Sequence, residues 1–255
     1  HVLVGVDNGL GKSTTIEYTT STAEMLAAEQ AGACDRDDPD HEDRAEDWTI
    51  GWCSKMPTVV HMVKRVTETD NLSVAGQGQG EYVTEYGYRD PVFEGRQREF
   101  RGFRRARAKR IGDANSPTDI TETTFLLGEC VDETADGIDD CSVSERWRDN
   151  PREALKGLPL VTEKHDENGT YLSTSHNVYR LRTLYVGRDG RKVRHAFQSI
   201  SHTYLYDTGP FQPDVMRDGS DGVQLEDEPG YVVVDTGAPV TIRAAANAAH
   251  IISQS

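Results

Sequence analysis

Apolar and polar residues alternate along much of this chain, most clearly in two short stretches. Glu85-Tyr86-Gly87-Tyr88-Arg89-Asp90-Pro91 is followed, after a short Gly-containing turn, by Arg98-Glu99-Phe100-Arg101-Gly102-Phe103. A period of two sends successive side chains to opposite faces of a strand, so the pattern predicts two aromatic-rich β-strands joined by a tight connection. Tyr82, Tyr86, Tyr88, Phe100 and Phe103 are assigned to the buried faces, and the Arg and Glu residues to the solvated ones. Tyr86, Tyr88, Phe100, Gly102 and Phe103 therefore carry a structural role, not a catalytic one.

The same reading extends along the chain. Asp7-Asn8-Gly9 and Gly11 make a turn that feeds an alternating strand over Ser13 to Tyr18, and Ala23 to Gln30 has helix-forming composition for about two turns. Strands are predicted over Thr58 to Glu68, Glu81 to Arg89, Arg98 to Arg110 and Thr118 to Leu127, separated by Gly, Asn, Asp and Pro clusters. Pro151 to Lys156 makes one helical turn, with Asn150 as its cap and Pro151 at the first position. From Leu160 to Tyr206 the pattern is strand, turn, strand, with Asp166-Glu167-Asn168-Gly169 and Arg188-Asp189-Gly190 as connections. Tyr231 to Asp235 and Val240 to Ala245 form a last hairpin, and Pro213 to Pro229 is an acidic loop. The fold class is all-β, mainly antiparallel, with acidic loop insertions and little helix. No repeat of fixed period is present.

Composition narrows what such a protein does. The 255 residues can bury a sizeable core as one or two domains. A formal net charge of −15 repels phosphate, which argues against nucleic acid and anionic membrane as general partners. No run of 18 apolar residues offers a membrane-spanning helix. The chain opens on His1, without an initiator Met or a leader pattern, and stops at Ser255 in or just after a strand pattern, so it reads as a fragment of a longer chain.

The four cysteines fall as two local pairs flanking acidic loops, Cys34 with Cys53 and Cys130 with Cys141. Neither pair has metal-binding spacing. Three pairings are open, and the sequence-local disulfides are preferred over free thiols, which points to an oxidising, secreted destination.

Several segments imitate sites. Gly9-Leu10-Gly11-Lys12-Ser13-Thr14 looks like a phosphate loop, but Val6 stands where the first Gly is required, and β-branched alternation follows where a helix is needed. Val234-Asp235-Thr236-Gly237-Ala238 matches the Asp-Thr-Gly-Ala loop of retropepsin-like aspartic proteases, with a second copy at Asp207-Thr208-Gly209. The copies lie too close for two lobes and too near the end for a flap, so hairpin turns are the stronger reading. Asp132, Thr134, Asp136 and Asp140 approximate a calcium loop, although Val143 stands where an EF-hand has its bidentate Glu. Calcium is the one candidate cofactor, set against an ordinary acidic loop.

Arg96, Arg98, Arg101, Arg104, Arg105, Arg107, Lys109 and Arg110 form a basic run with Phe100 and Phe103 interleaved. Strand alternation divides these charges between faces, so a cross-strand ion-pair lattice is favoured over a nucleic-acid platform. The histidines lack metal spacing, and His61, His195 and His202, alternating with apolar residues, read as structural.

Taken together, the turn Val6 to Gly11 with its strand Ser13 to Tyr18, Val59 to Val66, Tyr86 to Asp90, Arg98 to Phe103, Arg152 to Leu160 and Val240 to Ala244 resemble, in order, the middle region of TcdB/SpvB-type proteins. These are the B components of bacterial insecticidal toxin complexes, related to Rhs/YD-repeat shells. The resemblance covers most of the chain outside two acidic insertions and the segment from Pro213 to Pro229; the Cys-bounded insertions depart from the family pattern. It implies residues 1–110 as the end of a middle N-terminal-like region and 111–255 as a middle C-terminal-like region. It also implies a non-enzymatic segment of a large β-shell. Such a shell joins a C component, encloses its cytotoxic C-terminal cargo and passes it to a pore-forming A component through the rest of the chain. The expected setting is extracellular, with no direct membrane span. The alternative from a different class is a calcium-stabilised extracellular binding module, with an aspartic protease the weaker third reading.

Overall fold

A computed structural model of the chain describes residues 2–34, 48, 50–53, 56–71, 80–95, 97–113, 116–129, 150–206, 231–232 and 251–254. Among these the fold is all-β. The strands are β1 (Gly5–Asp7), β2 (Lys12–Thr20), β3 (His61–Asp70), β4 (Glu81–Glu94), β5 (Glu99–Arg110), β6 (Asp119–Phe125), β7 (Pro159–Asp166), β8 (Tyr171–Val186), β9 (Lys192–Tyr206), β10 (Tyr231–Val232) and β11 (Ile251–Gln254). One α-helix, α1 (Ser21–Gln30), follows β2, and short 3-10 turns cover Ile50–Trp52 and Pro151–Leu155. Hydrogen-bonded neighbours run β1 to β9 in chain order and then β11, with β10 pairing β8. The β2–β3, β3–β4, β7–β8 and β8–β9 ladders are antiparallel. Each of these pairs is consecutive in sequence, a connectivity that short turns can close.

The turns have identifiable causes. The Asp7 carboxylate accepts from Gly9 N at 2.7 Å, and the Asn8 side chain accepts from Leu10 N at 2.8 Å and Lys12 N at 2.9 Å. The chain is thereby turned into β2, a strand, so Gly11-Lys12 has no helix N-terminus behind it. Thr20 caps α1 by accepting from Ala23 N. Asp166 Oδ1 accepts from Asn168 N and Thr170 N, both at 2.8 Å, closing the β7–β8 hairpin.

The chain divides into two compact units, residues 1–91 with 105–122, and residues 92–104 with 123–255. In the first unit Ala28, Ala33, Trp52, Met62, Val83 and Ile120 are buried. In the second, Leu126, Leu155, Leu160, Val161, Tyr179 and Leu181 form one contiguous cluster, and the Tyr179 hydroxyl donates to Pro159 O at 2.6 Å. Fully burying a side chain of this kind contributes roughly 1.5–3 kcal/mol.

The aromatic strands correct the assignment of faces. Tyr82 is 60% exposed and Tyr86 36%, while Tyr88, Phe100 and Phe103 are only partly buried. The buried residues of this hairpin include Val83, Arg89 and Arg101. A period of two separates the faces without saying which one turns inward. β4 also continues beyond Arg89 through Pro91 to Glu94, with Asp90 at φ 54° breaking the alternation. Leu126 and Leu127, predicted as strand, instead leave the end of β6 and turn into the interior.

Candidate functional site

Two built places stand out, one in each unit. In the first unit, Trp48 lies beneath Arg107, whose guanidinium carbon is 4.5 Å from a ring centroid of the indole; Arg105 is 5.6 Å away. Arg105 and Arg107 are two positions apart on β5 and therefore share a face, which is why both reach one ring. Trp48, Trp52, Lys64, Tyr86, Tyr88 and Arg107 line a cleft of about 230 Å³. A neighbouring hollow of about 380 Å³ is lined by Lys64, Arg65, Glu85, Tyr86, Arg107 and Lys109 among others. Burial, with the neighbouring Tyr86 second, pushes the Tyr88 hydroxyl above its ordinary pKa, so it stays protonated at neutral pH.

In the second unit the buried Arg101 guanidinium gathers backbone and side-chain acceptors. Its Nη1 donates to Gly128 O at 2.9 Å and to Leu127 O at 3.2 Å. Its Nη2 donates to Gln97 Oε1 at 2.6 Å and pairs with Glu153 at 2.7 Å. Asn150 donates to the same Gly128 carbonyl at 2.6 Å while capping Arg152 N. Lys156 bridges Glu99 at 2.6 Å and Glu153 at 3.2 Å. Gly128 has φ 63°, and a Cβ there would lie 2.8 Å from Arg152 O, so this crossing requires glycine. Partial burial raises the Glu153 pKa, but the hydrogen bonds and charges of Arg101 and Lys156 outweigh it and hold the carboxyl below its usual value. The Glu99 hydrogen bond, opposed by burial, raises Lys156.

The predicted residues separate between these places. Tyr86 and Tyr88 line the first-unit cleft. Phe100 and Phe103 meet edge to face, with centroids 5.2 Å apart and planes at 72°. Residues three apart fall on opposite faces of a regular strand; Gly102, at φ 113°, breaks the alternation and lets them touch. Cys34 and Cys53 form a disulfide. Cys130 and Cys141, the calcium candidates Asp132, Thr134, Asp136 and Asp140, and both Asp-Thr-Gly segments lie outside the described residues. Among the described residues, no group of three or more His, Cys, Asp or Glu is arranged to hold a metal ion. His61 and His195 are exposed, whereas His176 is buried.

The basic run is largely absorbed by carboxylates and one indole. Arg104 pairs with Glu129, Arg105 with Glu122 at 2.9 Å and Arg110 with Asp119 at 3.9 Å. The inward positions of Arg89 and Arg101, the Trp48–Arg107 stack and the Gly128 crossing were all missed by strand periodicity. The hint available for Arg101 was its place beside a glycine inside an aromatic strand, where a backbone irregularity can turn a charge inward.

The family model for the insecticide toxin TcdB middle/N-terminal region matches residues 1–130. Among solved structures, a chain of the TcdB2-TccC3-Cdc42 complex aligns with a TM-score of 0.56 at 20% identity, covering 79% of this chain and 10% of that one. A TcdB2-TccC3 complex without its hypervariable C-terminal region gives the same values. A chain of the Photorhabdus luminescens Tc holotoxin pore aligns with a TM-score of 0.56 at 19% identity, covering 81% of this chain and 10% of that one. The chain thus spans about a tenth of the length of these neighbours, and the likeness is one of fold. No curated protein matches the sequence.

Proposed function

The chain belongs to the insecticide toxin TcdB middle/N-terminal family, and from that premise we propose that it is a non-enzymatic wall segment of a toxin-complex B component. Its role is to help enclose, and later deliver, a cytotoxic cargo carried by a C component. The observation that carries this reading is the strand order: β1 to β9 are hydrogen-bonded in sequence without a crossover. A meander of this kind pairs the backbone of each interior strand with its chain neighbours, the arrangement a shell wall needs.

The arginines fit the same role. In a chain of net charge −15, Arg101, Arg104, Arg105 and Arg110 are tied to carboxylates by ion pairs, so the sheet can be wet on a polar face without like-charge repulsion between neighbours. In the same proposal, the chain beyond the family match to residues 1–130 belongs to a middle C-terminal-like region. The solved neighbours containing TcdB2 and TccC3 support a C component as the partner, and membership of a toxin family supports secretion as the destination. The pore-forming A component would be reached through the rest of a longer chain.

The test is protection of cargo. A polypeptide carrying this segment, co-purified with a TccC3-type partner, is expected to shield the partner's C-terminal region from trypsin by at least tenfold in rate. Leu181→Asp, which introduces a charge into the buried cluster of the second unit, is expected to abolish the shielding. Equal digestion with and without the B polypeptide would overturn the proposal. A chelator-reversible shift in melting temperature without any shielding would favour the calcium-stabilised module instead.

A further inference from the structure

From the first-unit groove we infer that it binds an extended acidic peptide segment, a role independent of the wall reading. Lys64 on β3 and Arg107 and Lys109 on β5 converge around Tyr86-Gly87 of β4. Among the described residues none of these three cations has a carboxylate partner, and Arg107 is occupied only by the indole of Trp48. The carboxylates nearby are accounted for except Glu17, which lines the hollow. Glu85 lies 4.0 Å from Arg65, and Glu24 accepts from the Thr19 hydroxyl at 2.7 Å. Three cations without carboxylate partners in one hollow are unusual in a chain with fifteen excess negative charges.

The shape points to an extended chain as the occupant. β3 and β5 flank β4, so the cations stand on two rails about 10 Å apart, twice the strand spacing. Between the rails, Gly87 contributes no side chain, and a Cβ there would already touch Trp48 at 3.4 Å and Arg107 at 3.5 Å. Trp48 and Arg107 therefore already lie over Gly87, and the open space is the hollow beside them, lined by Lys64, Arg65, Glu85, Tyr86, Arg107 and Lys109. Alternate side chains of an extended peptide share one face, so carboxylates at every second position can meet the cations. A long polyanion such as a nucleic acid would be repelled by the rest of the molecule, whereas a short acidic segment meets only the local field.

The experiment is fluorescence anisotropy with a rhodamine-labelled decapeptide of alternating Glu and Thr. The comparison probes are an alternating Gln-Thr decapeptide and a ten-residue oligothymidylate. Saturable binding of the Glu-Thr probe is expected in 20 mM salt, weakening about tenfold by 200 mM as screening shortens the reach of the charges. Lys64→Gln with Lys109→Gln is expected to lower its affinity about tenfold, since each exposed ion pair is worth little alone. Gly87→Val keeps every charge but sets its branched side chain against Trp48 and Arg107, and is expected to lower affinity by displacing that stack; circular dichroism checks its fold, and the lysine pair tests the site independently. Equal binding of the Gln-Thr probe, an unchanged affinity in the lysine variant, or tighter binding of the oligothymidylate would each overturn the inference.

Discussion

The Arg101 side chain is 2% exposed, and removing such a charge from water costs several kcal/mol unless its donors are met. Two carbonyls, an amide oxygen and a carboxylate meet its two terminal nitrogens, while the buried Nε has no hydrogen-bond partner among the described residues. A buried ion pair of this type need not add net stability over an apolar core, but breaking it leaves its acceptors unsatisfied. Glu153 is 39% exposed and can be rehydrated, so Arg101→Ala is expected to lower the unfolding free energy by about 2–3 kcal/mol, below the full cost of breaking a buried pair. Urea denaturation measures this directly, and a loss below about 0.5 kcal/mol would mean that water replaces the guanidinium. Arg101→Lys should recover only part of the loss, because an ammonium cannot present donors in the planar fork that reaches all four groups.

Among the elements, α1 and the 3-10 turn at Ile50–Trp52 are tied together by the Cys34–Cys53 disulfide, which closes a sequence separation of 19 residues. Ala33 and Trp52 beside it are buried, so the cross-link sits next to packed side chains in the first unit. Replacing both cysteines by serine is expected to destabilise that unit by about 3 kcal/mol, chiefly by freeing the unfolded chain. A calorimetric scan of the oxidised wild type and the double variant gives the difference, and unchanged melting would deny the bridge any stabilising role. In the second unit the 3-10 turn at Pro151–Leu155 plays a comparable part without a covalent bond. Leu155 enters the apolar cluster while Glu153 reaches Arg101, so one turn joins the apolar core to the polar knot.

For the whole molecule, the perturbed groups define a pH window. The folded pKa of Glu153 is depressed below its ordinary 4.5, so its contribution is present above that value and is lost as pH falls through the folded pKa. Desolvation raises the Asp166 carboxyl, but the hydrogen bonds from Thr170 and Asn168 together outweigh it and hold it below its ordinary 3.8, so it acts in the same direction. Lys156 is raised above its ordinary 10.5, so its contribution is complete below that value and is lost as pH rises through the folded pKa. Stability is therefore expected to be level between about pH 5 and pH 10 and to fall on both sides. Urea midpoints across pH 2–12 test this, and Arg101→Ala should flatten the acid limb by removing the main cause of the Glu153 shift.

The sequence by itself determined the alternation that makes strands, the turns at Asp7-Asn8-Gly9 and Asp166 to Gly169, the Asn150 cap, and the family to which residues 1–130 belong. These are local: each depends on φ preferences and side-chain hydrogen bonds spanning a few residues. Which face of β4 and β5 turns inward was decided only by the tertiary structure, because a two-residue period is symmetric under exchange of its faces. The buried arginines lie on that choice. Arg101 can be buried only because Leu127, Gly128 and Glu153, 26 to 52 positions later, bring their oxygens to it. The Trp48 cleft has the same origin, since a lone indole in the sequence gives no sign that a strand nearly sixty residues away will lay Arg107 over it.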